Sequence, residues 1–422
     1  MQTQTPPSEA SRNGLLTTFG AMIGLAFGPS VIANLTVSGY ITPIEREFGW
    51  SRVDVSFAFT IVAYMIVLVS PLQGFLVDRF GPRKVVLTSI PLFALSLAAI
   101  FYTPPNIYVF YTLWAIVPVA AIGLWPLGYL QAVTPWFDRK LGFSLGCANA
   151  GIGVGSTLLP MFVIGPIIAA YSWRHAILTI AALVLFVSWP IVAYCLRAPS
   201  AADVAARKQA VKAFGLSFRE ATREPTFWVL NAGFFLLGIT ATSLVSQQAP
   251  LLQDAGWTPT ETAQLQTTFG FGLLVARVVV GYIIDHMFAP RVLTTVSIGG
   301  AIACILYAVY PDLGYVSALL IGFLLGAEFD VLAFLIKRYY GTIAYGRLYG
   351  VIFGVFYLGS GIGIWGLPKL REISVDKSYD YGLYVAAAIL LASAVLMAFM
   401  PKYRFGVAHV AAPAGTPAPQ QA

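Results

Sequence analysis

Apolar residues run along this chain in stretches of about twenty, the length a helix needs to cross a bilayer, and clusters of Pro, Gly and charge separate them. The pattern predicts twelve helical spans, at roughly 14–41, 53–75, 84–103, 107–134, 141–168, 173–196, 226–251, 261–284, 291–310, 313–337, 347–369 and 381–400. The first is too long, and too polar at Asn34, Thr36 and Ser38, for a cleaved signal peptide, and it lacks a small-residue cleavage site. Residues 1–13, rich in Gln, Thr and Pro, and residues 401–422, rich in Ala, Pro and Gln toward the end, read as disordered tails.

Composition narrows the class. Hydrophobic residues make up 58% of the 422 and charged residues 10%, with a mean hydropathy of +0.78; a soluble domain carries roughly 25% charged residues. That excludes a soluble fold, a disordered chain, a collagen-like fibre and a nucleic-acid binder, and leaves an all-α polytopic membrane protein. Cys147, Cys195 and Cys304 lie far apart in apolar runs without CxxC or Cys/His spacing, so they read as packing residues, and neither a disulfide nor a metal site is expected. No lysine follows a glycine, which removes the P-loop and direct ATP coupling. His175, His286 and His409 are scattered, and no GxSxG or HExxH stretch occurs. No cofactor and no enzyme activity is expected; work must come from a gradient or from exchange.

Twelve spans place both termini on one face. The tails and the loops after even-numbered spans hold 18 Lys and Arg, and the opposite loops hold six: Arg46, Arg52, Arg174, Lys369, Arg371 and Lys377. Both termini are therefore expected in the cytoplasm. The same bias explains much of the net charge of +7 without an acidic partner. The longest hydrophilic segment, 197–225, carries six of those bases and reads as a linker between halves at 14–196 and 226–400.

The halves repeat. At an offset of 208, Arg139 aligns with Arg347, Gly142 with Gly350, Gly146 with Gly354, Gly151 with Gly359, Gly153 with Gly361, Gly155 with Gly363 and Pro160 with Pro368. At an offset of 207, Gly74 meets Gly281, Asp78 meets Asp285 and Lys84 meets Arg291. Two parallel six-helix repeats meeting at the membrane centre are the architecture of carriers that rock about a central site.

The stretch Gly74-Phe-Leu-Val-Asp78-Arg79-Phe-Gly81-Pro-Arg83-Lys84 resembles the signature loop of the major facilitator superfamily, with Gly281-Tyr-Ile-Ile-Asp285 as its degenerate second copy. The resemblance covers about residues 14–400. It implies that the loop's acid and bases latch neighbouring helix ends and set the balance of conformations. A second, narrower resemblance begins at Trp136-Phe137-Asp138-Arg139-Lys140 and continues through Gly142, Gly146, Ala150 and Gly151. It is similar to the fifth-helix signature of the monocarboxylate transporter branch, which includes oxalate/formate antiporter relatives. Small residues four apart let helix backbones approach closely in lipid; Gly142, Gly146, Gly350 and Gly354 are thus candidates for sliding, gating contacts.

Ionisable residues inside spans are costly unless paired or wetted, and three lie deep: Arg277, Glu328 and Asp330. At 1.5 Å per residue, Arg277 lies ~12 Å from the loop at Asp285, and Glu328 and Asp330 lie ~13 Å and ~10 Å from Lys337, so pairing is open to either acid. Residues two apart point about 200° from each other, so the two acids do not easily share one partner. Val275-Ala276-Arg277 followed by Gly281 resembles the eighth helix of monocarboxylate transporters, which implies that Arg277 holds the substrate carboxylate. A guanidinium fork suits that task. The chain departs from the mammalian pattern at Leu273, where an aspartate would stand, and at Asn34, the polar residue nearest to a missing first-helix lysine. The eleventh span also lacks the basic residue of the oxalate antiporter, and one deep cation matches one carboxylate better than two. Glu328 or Asp330 could replace the missing aspartate and carry a coupling proton, Glu328 being the closer match in depth. Asn34, Tyr64, Trp125, Gln131, Asn149, Gln247, Gln248, Tyr357 and Trp365 are candidates for the cavity wall.

The sequence thus predicts a monomeric twelve-helix carrier of a bacterial-type inner membrane that moves a small organic monocarboxylate with a proton, its partners being substrate and bilayer. Two alternatives stay open. One is a drug/proton exporter of the same fold, with Arg277 structural. The other is a non-transporting sensor on the carrier fold, against which the short tails count.

Overall fold

Local side-chain chemistry starts the helices. The computed structural model describes residues 12–137, 141–197 and 214–405. In it the Ser51 hydroxyl accepts the Asp54 amide at the head of the second span, Arg52–Phe80. Asn106 accepts the amides of Tyr108 and Val109 at the head of the fourth, which opens as Ile107–Ala120. Thr258 and Glu261 form a reciprocal capping box on the eighth, Pro259–His286. Each satisfies amides that a helix leaves unpaired at its start.

Eleven helices among the described residues are long and apolar enough to cross a membrane. The first begins at Arg12–Ala26, unwinds at residues 27–28, and continues through Val31–Leu35 and Ser38–Phe48. After the second come the third at Pro82–Ile100, the fifth starting at Leu141–Leu159, and the sixth from Trp173 to Cys195. The C-terminal half adds the seventh at Pro225–Asp254, the ninth at Ala289–Val309, the tenth at Gly314–Tyr340, the eleventh at Tyr345–Ile373 and the twelfth at Asp380–Ala398.

The fourth span departs from expectation. It is not one helix over 107–134: it stops at Ala120 and restarts as Pro126–Val133. Pro126 supplies no amide to the turn before it, and Gly123 packs so closely on the third span that a Cβ would strike the Val85 carbonyl. The loosened backbone is satisfied from neighbours, as it must be in lipid: Gly123 N donates to Ser89 Oγ at 3.0 Å, and Gln73 Nε2 donates to the Trp125 carbonyl at 3.2 Å.

Packing follows the sequence repeat. The first span lies on the fifth, the second on the fourth and the third on the sixth; correspondingly the seventh lies on the eleventh, the eighth on the tenth and the ninth on the twelfth. The halves meet along two seams, fifth against eighth and eleventh against second. The end of the linker is tied to the second half, where Leu216 N donates to the Tyr340 carbonyl at 2.8 Å and Thr342 N to the Phe214 carbonyl at 2.7 Å. Gly215 and Gly341, at φ +113° and +81°, face each other there, each in the space a Cβ of the other would need. The tails at 1–11 and 406–422, the linker at 198–213 and residues 138–140, including Arg139 of the repeat, lie outside the described residues.

Candidate substrate site and gates

The glycine triplets explain how each seam is built. Gly151 and Gly155, four apart and so on one helix face, press on the carbonyls of Met22 and Ala26 in the first span. Gly359 and Gly363 press equally on Phe235 and Ile239 in the seventh. The middle glycine of each triplet points about 200° away and meets the other half: Gly153 lies on Leu274, and Gly361 on the ring of Tyr64.

Each seam is closed at one end only. Let the face bearing Arg12 and Phe405 be the terminal face. Going toward the opposite face, Gly270 lies on Ser156 and Gly165 on Ala263, and Thr60 donates to the Gly361 carbonyl at 3.1 Å. Going toward the terminal face, a Cβ on Gly146, Gly281, Gly74 or Gly350 would meet nothing within 4 Å, and one on Gly354 only Val67 at 3.7 Å. Among the described residues the seams diverge there, open toward the terminal face.

Charge locks the closed end. Arg52, 9% exposed, donates from Nε to Glu45 at 3.0–3.1 Å and places its other two nitrogens on Asp254 of the other half at 2.7 and 3.1 Å. Arg371 adds a 2.9 Å contact to Asp254. The Tyr379 hydroxyl accepts from Arg52 at 3.1 Å and donates to Gln247 Oε1 at 2.8 Å. Burial pushes that phenol up to about 12, so it stays a donor. Gln247 Nε2 reaches Ser56 at 3.0 Å, and Ser38 accepts from Gln266 Nε2 at 2.7 Å. The Glu45–Arg52, Arg371–Asp254 and Tyr379–Gln247 contacts lie within one half; the others cross between halves.

The central charges are arranged differently. Arg277, 8% exposed, lies 3.6 Å from Asp330, beyond hydrogen-bond length, and forms no hydrogen bond among the described residues; its Nε is buried without a partner there. Glu328 is fully buried, and neither of its oxygens has a partner. The acid in contact with Arg277 is Asp330, although depth along the helix had matched Glu328 more closely. Tyr357 lies in the field of Glu328, and Tyr349 in that of Arg277 and Asp330.

The other sequence candidates divide between these regions. Gln247 belongs to the closed gate. Tyr64 packs on the seam glycine. The buried Asn34 Nδ2 has no partner among the described residues, and Gln131 and Asn149 are half-buried. Gln248 is buried with both amide atoms unpartnered, as is Trp125 Nε1, while Trp365 lies on the exposed side of its helix. In the signature loop, Asp78 is exposed and pairs with no base among the described residues, and Arg79 lies over the rings of Phe75 and Phe80. Arg83 joins the third span to the sixth through the carbonyls of Leu196 and Ala193, at 2.7 and 3.1 Å, a clasp within one half. Asp285 sits in the last turn of the eighth span and Gly142 in the first turn of the fifth. Sequence reasoning missed Glu45, Arg52, Asp254, Arg371 and Tyr379 as gate residues. The available signal was opposite charge at span ends on one face.

A helical membrane protein of two repeated halves, sealed at one face and open to the other around a buried guanidinium, is a membrane carrier. Residues 14–364 match the Major Facilitator Superfamily, and the chain belongs to it. It is 24% identical over 343 residues to the oxalate:formate antiporter of Oxalobacter formigenes, covering 77% of this chain and 78% of that one. It is 27% identical over 359 residues to monocarboxylate transporter 13 of Rattus norvegicus, covering 79% and 77%. It is 22% identical over 391 residues to the MFS-type transporter YcxA of Bacillus subtilis, covering 88% and 92%.

Proposed function

We propose that this transporter moves a small organic monocarboxylate by alternating access, together with a proton, across a bacterial cytoplasmic membrane with both termini inside. The observation that carries the reading is Arg277, a nearly buried cation that forms no hydrogen bond among the described residues and whose Nε is buried without a partner. A carboxylate would supply the bidentate partner that such a fork lacks. The family of carboxylate carriers to which two of the relatives belong by name supports the same reading. Glu328 and Asp330 are the proton-carrying candidates, Asn34, Gln131 and Asn149 the neutral polar groups across the site, and the protein acts as a monomer. With the terminal face inside, the conformation is inward-open, and Arg52, Asp254 and Arg371 form the outer gate.

The exporter alternative has one observation in its favour: two deep acids stand against one deep base. Uptake and binding by the purified protein in liposomes decide between them. Under an imposed pH gradient, accumulation of lactate, pyruvate or an aromatic acid, lost in Arg277→Lys, supports the monocarboxylate reading. Binding of cationic amphiphiles, sensitive to Glu328→Gln or Asp330→Asn and indifferent to Arg277→Lys, would replace it.

A further inference from the structure

On the eleventh span, Val351, Leu358, Ile362 and Trp365 are exposed and share one face at the helical period. Tyr345, Tyr349, Phe353 and Tyr357, spaced by four, lie on the side turned away from that outer face. Their rings run in series, with centroids 6.2 Å apart from Tyr345 to Tyr349, 5.9 Å from Tyr349 to Phe353 and 4.8 Å from Phe353 to Tyr357. The first two pairs are nearly parallel, at 22° and 21°. Phe329, between the two acids in the tenth span, joins Phe353 at 5.1 Å. Tyr345, Tyr349 and Phe353 are only half-buried although they point inward. The rings therefore border the space between the halves instead of filling a core.

Resting on the carboxylate reading above, we propose that this ladder is the second part of the substrate site and that the preferred substrate is an aromatic monocarboxylate. Arg277 holds the carboxylate, and the substrate ring lies against Tyr349 and Phe353. The single deep guanidinium sets the number of carboxylates at one, and the ladder sets the shape of what is attached. A two- or three-carbon acid reaches Arg277 but leaves those ring faces to water, whereas an aromatic body covers them and gains ring-ring contact as well.

The test uses the purified full chain and reads stabilisation against heat as each acid is titrated. Benzoate, phenylacetate and phenylpyruvate are compared with acetate, lactate and pyruvate, and cyclohexylacetate separates aromatic character from bulk. At least one aromatic acid is expected to act at a concentration tenfold or more below the ring-free acids, with cyclohexylacetate about two- to tenfold weaker than phenylacetate. Phe353→Leu, which keeps apolar volume, should weaken the aromatic acids severalfold and leave acetate unchanged. Equal potency across all acids, cyclohexylacetate matching phenylacetate, or a Phe353→Leu loss shared by acetate would overturn the aromatic assignment and leave the carboxylate reading standing. No response to any acid, or responses unchanged in Arg277→Lys, would remove the carboxylate reading and this inference with it.

Discussion

Arg52 and Arg277 are both nearly buried, and each stands near two acids, yet their bonding is opposite. Arg52 commits its nitrogens to Glu45, Asp254 and Tyr379; Arg277 makes no hydrogen bond among the described residues and stands 3.6 Å from Asp330. A guanidinium with all three nitrogens engaged is a fastener. One held near an acid without a hydrogen bond keeps donors for an anion outside the chain, the receptor role proposed above. The closed-end cluster also divides cleanly if it opens: Glu45 stays with Arg52 on one half and Asp254 with Arg371 on the other, so neither half keeps an unpaired buried charge. That makes it a gate that can open, since separating unpaired charges in a low-dielectric site would cost several kcal/mol.

The largest expected effect tests the receptor side. Arg277→Lys keeps the charge and loses the planar fork. Losing one charge-assisted hydrogen bond costs about 1.5–3 kcal/mol, or roughly ten- to a hundredfold in affinity for carboxylate. Membrane insertion and folded yield should be unchanged. Transport of the identified acid with unaltered apparent affinity would take Arg277 out of the site.

Next comes the fastener. Arg52→Gln should release the closed end, because Asp254 keeps Arg371 while Glu45 loses its partner. A cysteine at Ser56, beneath the gate and buried in the closed form, should then react with an impermeant thiol reagent about tenfold faster than in the parent. Equal reactivity would show that the seam glycines hold this end closed without the ions.

A smaller, more selective effect separates the two acids. If one carries the coupling proton, its charge must alternate, which an amide cannot do. The coupling variant among Glu328→Gln and Asp330→Asn should lose accumulation driven by a pH gradient yet retain exchange of internal for external substrate. The other should lower folded yield. The contact of Asp330 with Arg277 ties its charge to that guanidinium, while Glu328 has no hydrogen-bond partner among the described residues. Normal accumulation by both variants means that neither acid carries the proton.

The spans were legible because each is a run long enough to be read alone. The break in the fourth was not, since it depends on Gly123 meeting the third span, a contact outside its own apolar run. The repeat aligned the glycine triplets, but only packing reveals that the outer two face their own half and the middle one the other. The gate was hidden for a similar reason. Arg52 and Arg371 counted as ordinary loop charges, and the partner of Arg52 lies 202 residues away. Arg277 and the two acids stood out because charge inside a span is conspicuous anywhere, yet choosing between acids two residues apart required the direction of each side chain.

The smallest expected effect on the folded protein comes from the open end of the seams, and its smallness is the argument. Gly74 has open space where a side chain would sit, whereas Gly153 has the backbone of Leu274 there. Gly153→Leu should therefore push apart the closed seam and reduce folded yield. Gly74→Leu should fold normally, bind the substrate with unchanged affinity and still turn over severalfold more slowly. Its cost falls on the other conformation, in which the terminal-face ends of the second and eleventh spans must approach where Gly74 and Gly350 now face open space. A ligand or mutation shifts a conformational balance only by its difference between the two states, and a leucine that clashes in one state and touches nothing in the other supplies such a difference. Binding and exchange rates measured on the same preparation read it directly: a loss of affinity at normal exchange rate would place Gly74 at the substrate, and no change in either would mean that this end never closes as tightly as its counterpart.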